Sequence, residues 1–270
     1  MKTFLSMGAG VQTTAILILV AQGKVQADAV IFADTGAEHP ETYEYIEKYH
    51  KPLCGKLGIP FITARMHLQE KNIHADHPVF ADSLEEHARL NGIIPSRKLR
   101  WCTDKSKILP MRKTVKERQA NGQFETPATA LIGISTDEKH RGIKPDGSLK
   151  QPNIKEYRNA YPLLDLGISR NDCYRIIQEY GWPEPVKSGC YFCPFQGGKD
   201  WQDLYVRHPD LFWASVSFEE QASNFPHFSL YQRKPLRKLA QEFGEGTKKL
   251  DDFDDYEGEA CVDINSSCML

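Results

Sequence analysis

No apolar run in this 270-residue chain is long enough to cross a bilayer; the longest, residues 15–21, lies inside a helical pattern. Residues 1–6 read as a strand and not as a secretory leader, because Gly8 and Gly10 interrupt the apolar pattern at once. Without an export signal, the seven cysteines argue against a disulfide framework and for a reducing cytoplasm. There is no internal repeat and no low-complexity linker. Histidine pairs at metal-ligand spacing are missing: His39, His67, His74, His77 and His140 are scattered, and His74-x-x-His77 is too short for two ligands at i, i+4 on one helix face. They read as surface or loop residues, of which His39, after the second strand, could line a pocket at that strand's end. No stacking-aromatic motif for nucleic acid is evident.

Charge of one sign is also lacking overall, with 34 Lys and Arg against 36 Asp and Glu and a formal net charge of −2. That balance conceals polarity. Residues 97–118 are rich in Lys and Arg and carry Cys102, whereas residues 251–259 are strongly acidic. The acidic stretch reads as a solvated tail; the basic one is either a solvated face or an anion site.

What is present is an alternating pattern. Residues 3–6, 29–33 and 60–64 read as strands, and helices are predicted over 12–22 and from Pro40 toward residue 57. That β-α-β-α-β order implies a parallel sheet. A helix around 84–90, another over 105–119 and a strand at 130–134 follow, after which the sheet signal fades. Ser169 caps a helix through residue 179, and helices near 200–206 and 210–222 close the fold. The expectation is an α/β fold: a parallel twisted sheet with flanking helices and a mostly helical C-terminal extension. Residues 1–165 would be the α/β domain. Residues 166–270 would form the helical region with its cysteine loop and acidic tail.

Two cysteine signals carry chemistry. Cys190-x-x-Cys193 puts two thiolates within reach of one metal, and Pro194 stops the chain folding back over it. Cys102 lies far upstream in Arg100-Trp101-Cys102-Thr103. Soft thiolates converging on one centre mean zinc or an iron–sulfur cluster, and the pair alone also suits a redox dithiol. Cys54 reads as structural, and Cys261 and Cys268 as sulfur carriers or as residues without a role.

Near the N-terminus, Ser6-Met7-Gly8-Ala9-Gly10-Val11-Gln12-Thr13-Thr14 follows a strand and opens a helix. Such a turn aims backbone N–H groups and the positive end of the helix dipole at one spot, where a phosphate binds. Gly8 and Gly10 allow close approach, and Ser6, Thr13 and Thr14 offer hydroxyls. No Gly-Lys-Ser/Thr follows, so it is not a Walker motif. A Rossmann fingerprint would use Asp34 on the ribose, but Thr13 stands where its third glycine belongs. Asp34-Thr35-Gly36-Ala37-Glu38-His39-Pro40-Glu41-Thr42 lies at the carboxyl end of the second strand, where open α/β sheets bind ligands.

The Gly-rich turn together with Asp-Thr-Gly-x-x-x-Pro-Glu-Thr resembles the PAPS-reductase-like branch of the PP-loop superfamily, with its adenine nucleotide α-hydrolase-like fold. Cys102-Thr103-x-x-x-Lys107-x-x-Pro110 is similar to that branch's cysteine–lysine–proline motif, and Gly133-Ile134-Ser135-Thr136-Asp137-Glu138-x-x-Arg141 to its Gly-x-x-x-Asp-Glu/Gln…Arg motif. Tyr161-Pro162-Leu163 and the Cys-Pro loop follow in the expected order, so that the resemblance spans residues 1–213. It implies an adenine nucleotide, ATP or PAPS/APS, with or without magnesium. Its phosphates would lie on Ser6, Gly8, Gly10, Gln12, Thr13 and Thr14, beside Asp34, Thr35 and Gly36. Lys107 and Arg141, with Arg100 near them, would be counter-charges in a catalytic set that includes Asp137. It also implies a 4Fe–4S cluster on Cys102, Cys190 and Cys193. The related APS reductases use a Cys-Cys pair upstream; here Thr103 follows Cys102, which leaves either an open iron or Cys173, at the start of a helix, as the fourth ligand.

Two departures from the family pattern are informative. Aligning Thr13 with the last serine of Ser-Gly-Gly-x-Asp-Ser puts Gln12 at the acid and Gly8 at the first serine. The C-terminal residues 259–268 lack a clean Glu-Cys-Gly-like catalytic cysteine motif. The leading expectation is therefore an iron–sulfur-dependent enzyme that uses an adenine nucleotide to activate an acceptor for sulfur transfer, analogous to DNA-phosphorothioation sulfurtransferases and tRNA thiolases. A nucleic-acid acceptor would suit the basic segment, with a sulfur-donor or reductant protein as a further partner and no membrane. The alternatives are a sulfite-forming PAPS or APS reductase, and a nucleotide- or cluster-binding sensor without catalysis.

Overall fold

All six residues of the strand Ala29–Asp34 are buried, as expected of a strand covered on both faces of a parallel sheet. In the computed structural model, which describes residues 1–70, 79–225 and 227–244, that strand is β2, next to the equally apolar β1 (Thr3–Met7). Helix α1 (Val11–Ala21) links them. It is buried from Val11 through Leu19, because it lies between the sheet and a second helix layer. Pro40 opens α2 (Pro40–Tyr45), which runs through a π-helical turn (Ile46–His50) into α3 (Lys51–Leu57) and then β3 (Phe61–Arg65). A short antiparallel pair, β4 (Leu68–Glu70) and β5 (Val79–Ala81), precedes α4 (Leu84–Asn91).

The basic segment holds the short α5 (Trp101–Thr103), a second π-helical turn (Asp104–Ile108) and α6 (Leu109–Ala120). Strand β6 (Ala128–Leu131), α7 (Lys139–Gly142), β7 (Tyr157–Ala160) and α8 (Pro162–Asp165) follow. Helix α9 (Arg170–Glu179) begins with a reciprocal capping box, in which the Ser169 and Asp172 side chains each accept the other's backbone N–H. Helices α10 (Gly198–Arg207), α11 (Pro209–Gln221) and α12 (Leu236–Gly244) complete the described chain. Among the described residues no helix is long and apolar enough to cross a membrane.

The sheet is parallel throughout, in the order β3-β2-β1-β6-β7. The α/β expectation is met, with three differences in detail. The sheet continues past β6 into β7, which the pattern did not reveal because its exposed Arg158 alternates with the buried Tyr157 and Asn159 on an edge strand. Strand β6 ends at Leu131, and Ile132 to Ile134 already lead off the sheet's carboxyl edge. The β4-β5 pair and α12 are additional.

Each face of the sheet carries its own apolar core, and α9 packs on α1 in one of them. A third core joins α4, Cys102, the Cys190–Cys193 loop and helices α10–α12. That third core is assembled from two stretches far apart in sequence. Buried Glu219 pins it by accepting the backbone N–H groups of Leu230 at 2.8 Å and Leu236 at 2.6 Å.

Candidate functional site at the sheet's switch point

The chain runs from β1 to β2 and β3 on one side, then returns to place β6 and β7 on the other. The order therefore reverses between β1 and β6, where open α/β sheets form a ligand crevice outside the carboxyl ends of the strands. A crevice lies there, lined by Ser6, Met7, Gly8, Phe32, Ala33, Glu38, Lys107, Ile132 and Gly133. Glycine at 133 lets the segment after β6 pass close to the start of α1: a Cβ on it would stand 2.8 Å from Thr13 Cγ2 and 3.3 Å from the Thr13 backbone N. In the turn itself, Ala9 holds a left-handed backbone (φ 58°) and Gly10 caps α1.

The Asp-Thr-Gly loop forms one wall. Gly36 has φ 69°, and a Cβ there would sit 2.6 Å from Ser83 Cβ, so both the turn and the close approach of α4 demand glycine. The loop is laced to the cysteine loop by backbone bonds. Tyr191 N donates to Ala37 O at 2.9 Å, His39 N donates to Gly189 O at 3.3 Å, and Glu38 and Cys190 form an antiparallel bridge. The Cys190 thiol donates to Thr35 Oγ1 at 3.3 Å, and that hydroxyl donates to Glu38 Oε1 at 3.1 Å.

Beyond this wall a second, small cavity is lined by Cys102, Cys190 and Cys193 with Leu84, Pro95, Thr103, Ser106, Lys107, Phe192 and Pro194. Its loops are held firmly. Gln196 Nε2 donates to Tyr191 O at 2.7 Å, and Ser106 Oγ donates to Cys102 O at 2.8 Å. Arg97 donates to Pro194 O at 2.9 Å, and the Arg97 and Arg100 guanidiniums lie 5.7 and 5.1 Å from the Phe195 ring centroid. Lys107 lines both cavities. Its ammonium is 3.6 Å from Glu38 Oε1, with the side chain 12% exposed.

The phosphoadenosine phosphosulfate reductase domain model matches residues 2–179. The chain belongs to that family. Two uncharacterized proteins of Methanocaldococcus jannaschii are also similar, at 26% identity over 213 residues (75% of this chain, 38% of the relative) and 24% over 217 residues (77% and 46%). The chain thus spans less than half the length of these relatives. Cys190 and Cys193 lie beyond the matched family region, yet the fold brings them to the same cavity as Cys102, which lies within it.

Several residues expected at the site of this family member do other work. Asp34 is buried with both carboxylate oxygens engaged: Oδ1 accepts Tyr43 O–H at 2.7 Å and Gly36 N–H at 2.9 Å, and Oδ2 accepts Arg65 Nε–H at 2.8 Å. It braces the loop. Burial, followed by the charge of Asp34, raises the Tyr43 pKa and keeps that hydroxyl a donor. Thr14 points away from the crevice, its hydroxyl 3.0 Å from His50 Nε2 in the core, and Thr13 Oγ1 donates back to Gly10 O at 3.2 Å. Gln12 is buried at the start of α1. Asp137 accepts the Arg170 backbone N–H at 2.6 Å, at the start of α9, and Arg141 pairs with Glu138 at 2.6 Å. Neither Asp137 nor Arg141 lines the two cavities around Lys107.

Cys173 departs furthest from expectation. It is fully buried in the sheet core among residues of α1 and α9, away from the core that holds the other three cysteines. Burial pushes its thiol pKa up to about 12, outweighing any helix-terminus effect. Cys54 is a core residue as expected, with its pKa pushed up to about 11 by burial. Cys261, Cys268, the acidic tail, His74 and His77 lie outside the described residues. Among the described residues, no three His, Cys, Asp or Glu side chains stand close enough to ligate one metal ion; the three thiols surround a void instead. His39 lines neither of these cavities but a third cleft, with Glu41, Lys187, Cys193, Asp200 and His208, and burial lowers its pKa.

Sequence reasoning missed Glu38. It was visible only as a variable position within Asp-Thr-Gly-x-x-x-Pro-Glu-Thr, whereas the fold buries it between the two cavities.

Proposed function

We propose that this chain is an adenine-nucleotide-dependent enzyme of sulfur chemistry that carries an iron–sulfur centre on Cys102, Cys190 and Cys193. The observation that supports this best is that Lys107 lines both the cavity at the nucleotide turn and the cavity of the three cysteines. Three soft donors on the wall of one apolar cavity are the ligand type that an iron–sulfur centre takes. Bound there, a 4Fe–4S cluster would supply a thiophilic iron with one open position.

The protein's own residues supply the rest. Gly8 and Gly133 line the crevice, where phosphate oxygens would meet the backbone. Lys107, shielded from solvent, stabilises charge developing on the phosphate or sulfate group. The Cys190 sulfur meets the Thr35 hydroxyl and the Glu38 carboxylate, and Cys190 also lines the cysteine cavity. Cys102 and Cys190 are buried, whereas Cys193 is half-buried and also borders the outer cleft. Sulfur transfer to an activated acceptor is the leading reading, and sulfite formation from PAPS is the alternative that the experiment below separates from it.

Anaerobic purification with iron and sulfide analysis, followed by ATP–pyrophosphate exchange with candidate RNA and DNA acceptors, tests the reading. Iron, sulfide and exchange together would support it. Sulfite release from PAPS without ATP turnover would replace it with the reductase, and stoichiometric zinc without sulfide would end the cluster assignment.

A further inference from the structure

Glu38 presents a charge problem. Its side chain is 2% exposed, and while Oε1 meets Thr35 and Lys107, Oε2 has no hydrogen-bond partner among the described residues. A buried carboxylate oxygen left so is costly. Glu38 lines the crevice at the nucleotide turn, where its charge and that of Lys107 are the two formal side-chain charges in the wall and cancel. Nucleotide phosphates entering such a neutral crevice would bring several negative charges up against a carboxylate. Lys107 alone cannot offset both.

The other acids are unsuited to helping. Asp34 has both oxygens engaged, Asp137 is tied to the start of α9, and position 12 is Gln. We infer that Glu38 is the protein ligand of a divalent cation, magnesium or manganese, that enters with the nucleotide and bridges Oε2 to its phosphate oxygens. Magnesium commonly binds in this way, through one or two carboxylates plus substrate phosphates and several waters, so no preformed cage of three protein ligands is required. The carboxylate missing from α1 at Gln12 is supplied from the neighbouring strand's loop. The inference rests on the nucleotide reading proposed above.

The test measures ATP binding to the full chain by calorimetry, in EDTA and in magnesium, and manganese binding by electron paramagnetic resonance. Wild-type protein should bind ATP about tenfold or more tightly with magnesium, and bound Mn²⁺ should show coupling to ³¹P. Glu38→Gln should lose that enhancement while keeping, or improving, its affinity in EDTA, since it removes a negative charge beside the phosphates. Equal ATP affinity in EDTA and magnesium for the wild type would overturn the cation site and leave the nucleotide site standing. A Glu38→Gln defect of the same size in EDTA would also overturn it, marking Glu38 as structural. No ATP binding in either buffer would overturn the nucleotide reading and the cation site with it. Should Glu38→Gln not fold, Glu38→Asp serves: a changed Mn²⁺ spectrum supports the assignment, and an unchanged one overturns it.

Discussion

Cys173 and Cys190 are both buried, 0% and 8% exposed, and their surroundings differ in kind. Cys173 stands among apolar side chains of α1 and α9, where a thiolate has nothing to stabilise it and the thiol pKa rises to about 12. Cys190 stands where two loops meet, its sulfur against the Thr35 hydroxyl and the Glu38 carboxylate and on the edge of a cavity shared with two other cysteines. The contrast sets burial among apolar side chains against burial at the meeting of two polar loops beside a cavity.

The largest effect should come from breaking that contrast directly. Cys190→Ser should remove the iron–sulfur centre, whereas Cys173→Ser should retain full iron and sulfide and lose only about 1–3 kcal/mol of stability, from burying a hydroxyl without a partner. Anaerobic metal analysis beside thermal melting separates the two, and equal iron loss in both variants would erase the distinction. Next in size, Lys107→Ala should cost about 10²–10³ in turnover at unchanged iron content, with Lys107→Arg recovering part of it. Normal turnover in Lys107→Ala would make the lysine a bystander between two unrelated cavities.

The loop wall itself can be tested through Gly36. Gly36→Val should destabilise the fold by about 2–4 kcal/mol, because it adds a left-handed β-branched residue against Ser83. Chemical denaturation measures that loss; a neutral result would mean that the wall is not rigid.

The smallest effect belongs to the apolar side of α1. Burial holds the His50 pKa down at about 3, against an ordinary 6.5. Between those values the unfolded chain binds a proton that the folded chain refuses. The stability is therefore fully present above about pH 6.5 and falls as the pH drops toward 3, by about 1.4 kcal/mol per unit. Melting curves from pH 6.5 to 4.5 should show a shallower decline in His50→Gln than in the wild type; parallel declines would place the effect elsewhere.

Much of the fold was legible because it depends on local pattern. The apolar runs of β1, β2 and β3, the glycines at position 23 and in the turn, Pro40 and the Ser169 cap each act within a few residues. The site was legible as a set of segments: the Gly-rich turn, the Asp-Thr-Gly loop, Cys102 to Lys107 and the Cys190 loop were all identified and do meet. What the sequence could not show was which way each polar side chain turns. Asp34 is drawn off by Tyr43 and Arg65, Thr14 by His50, and Asp137 by the start of α9, all non-local partners. Cys173 was misplaced because its position at a helix start is a local cue, whereas its environment is set by packing on α1. Glu38 was overlooked for the opposite reason, since its neighbours Lys107 and Cys190 are distant in sequence.

The bridge between Glu38 and Cys190 has a thermodynamic consequence. Two loops joined by backbone hydrogen bonds cannot be ordered independently, so whatever stiffens one lowers the entropy still to be lost by the other. Occupancy at the crevice and occupancy among the thiols then form a linked equilibrium. Under the function proposed above, reciprocity requires that any factor by which nucleotide alters the hold on the cluster equal the factor by which the cluster alters the hold on nucleotide.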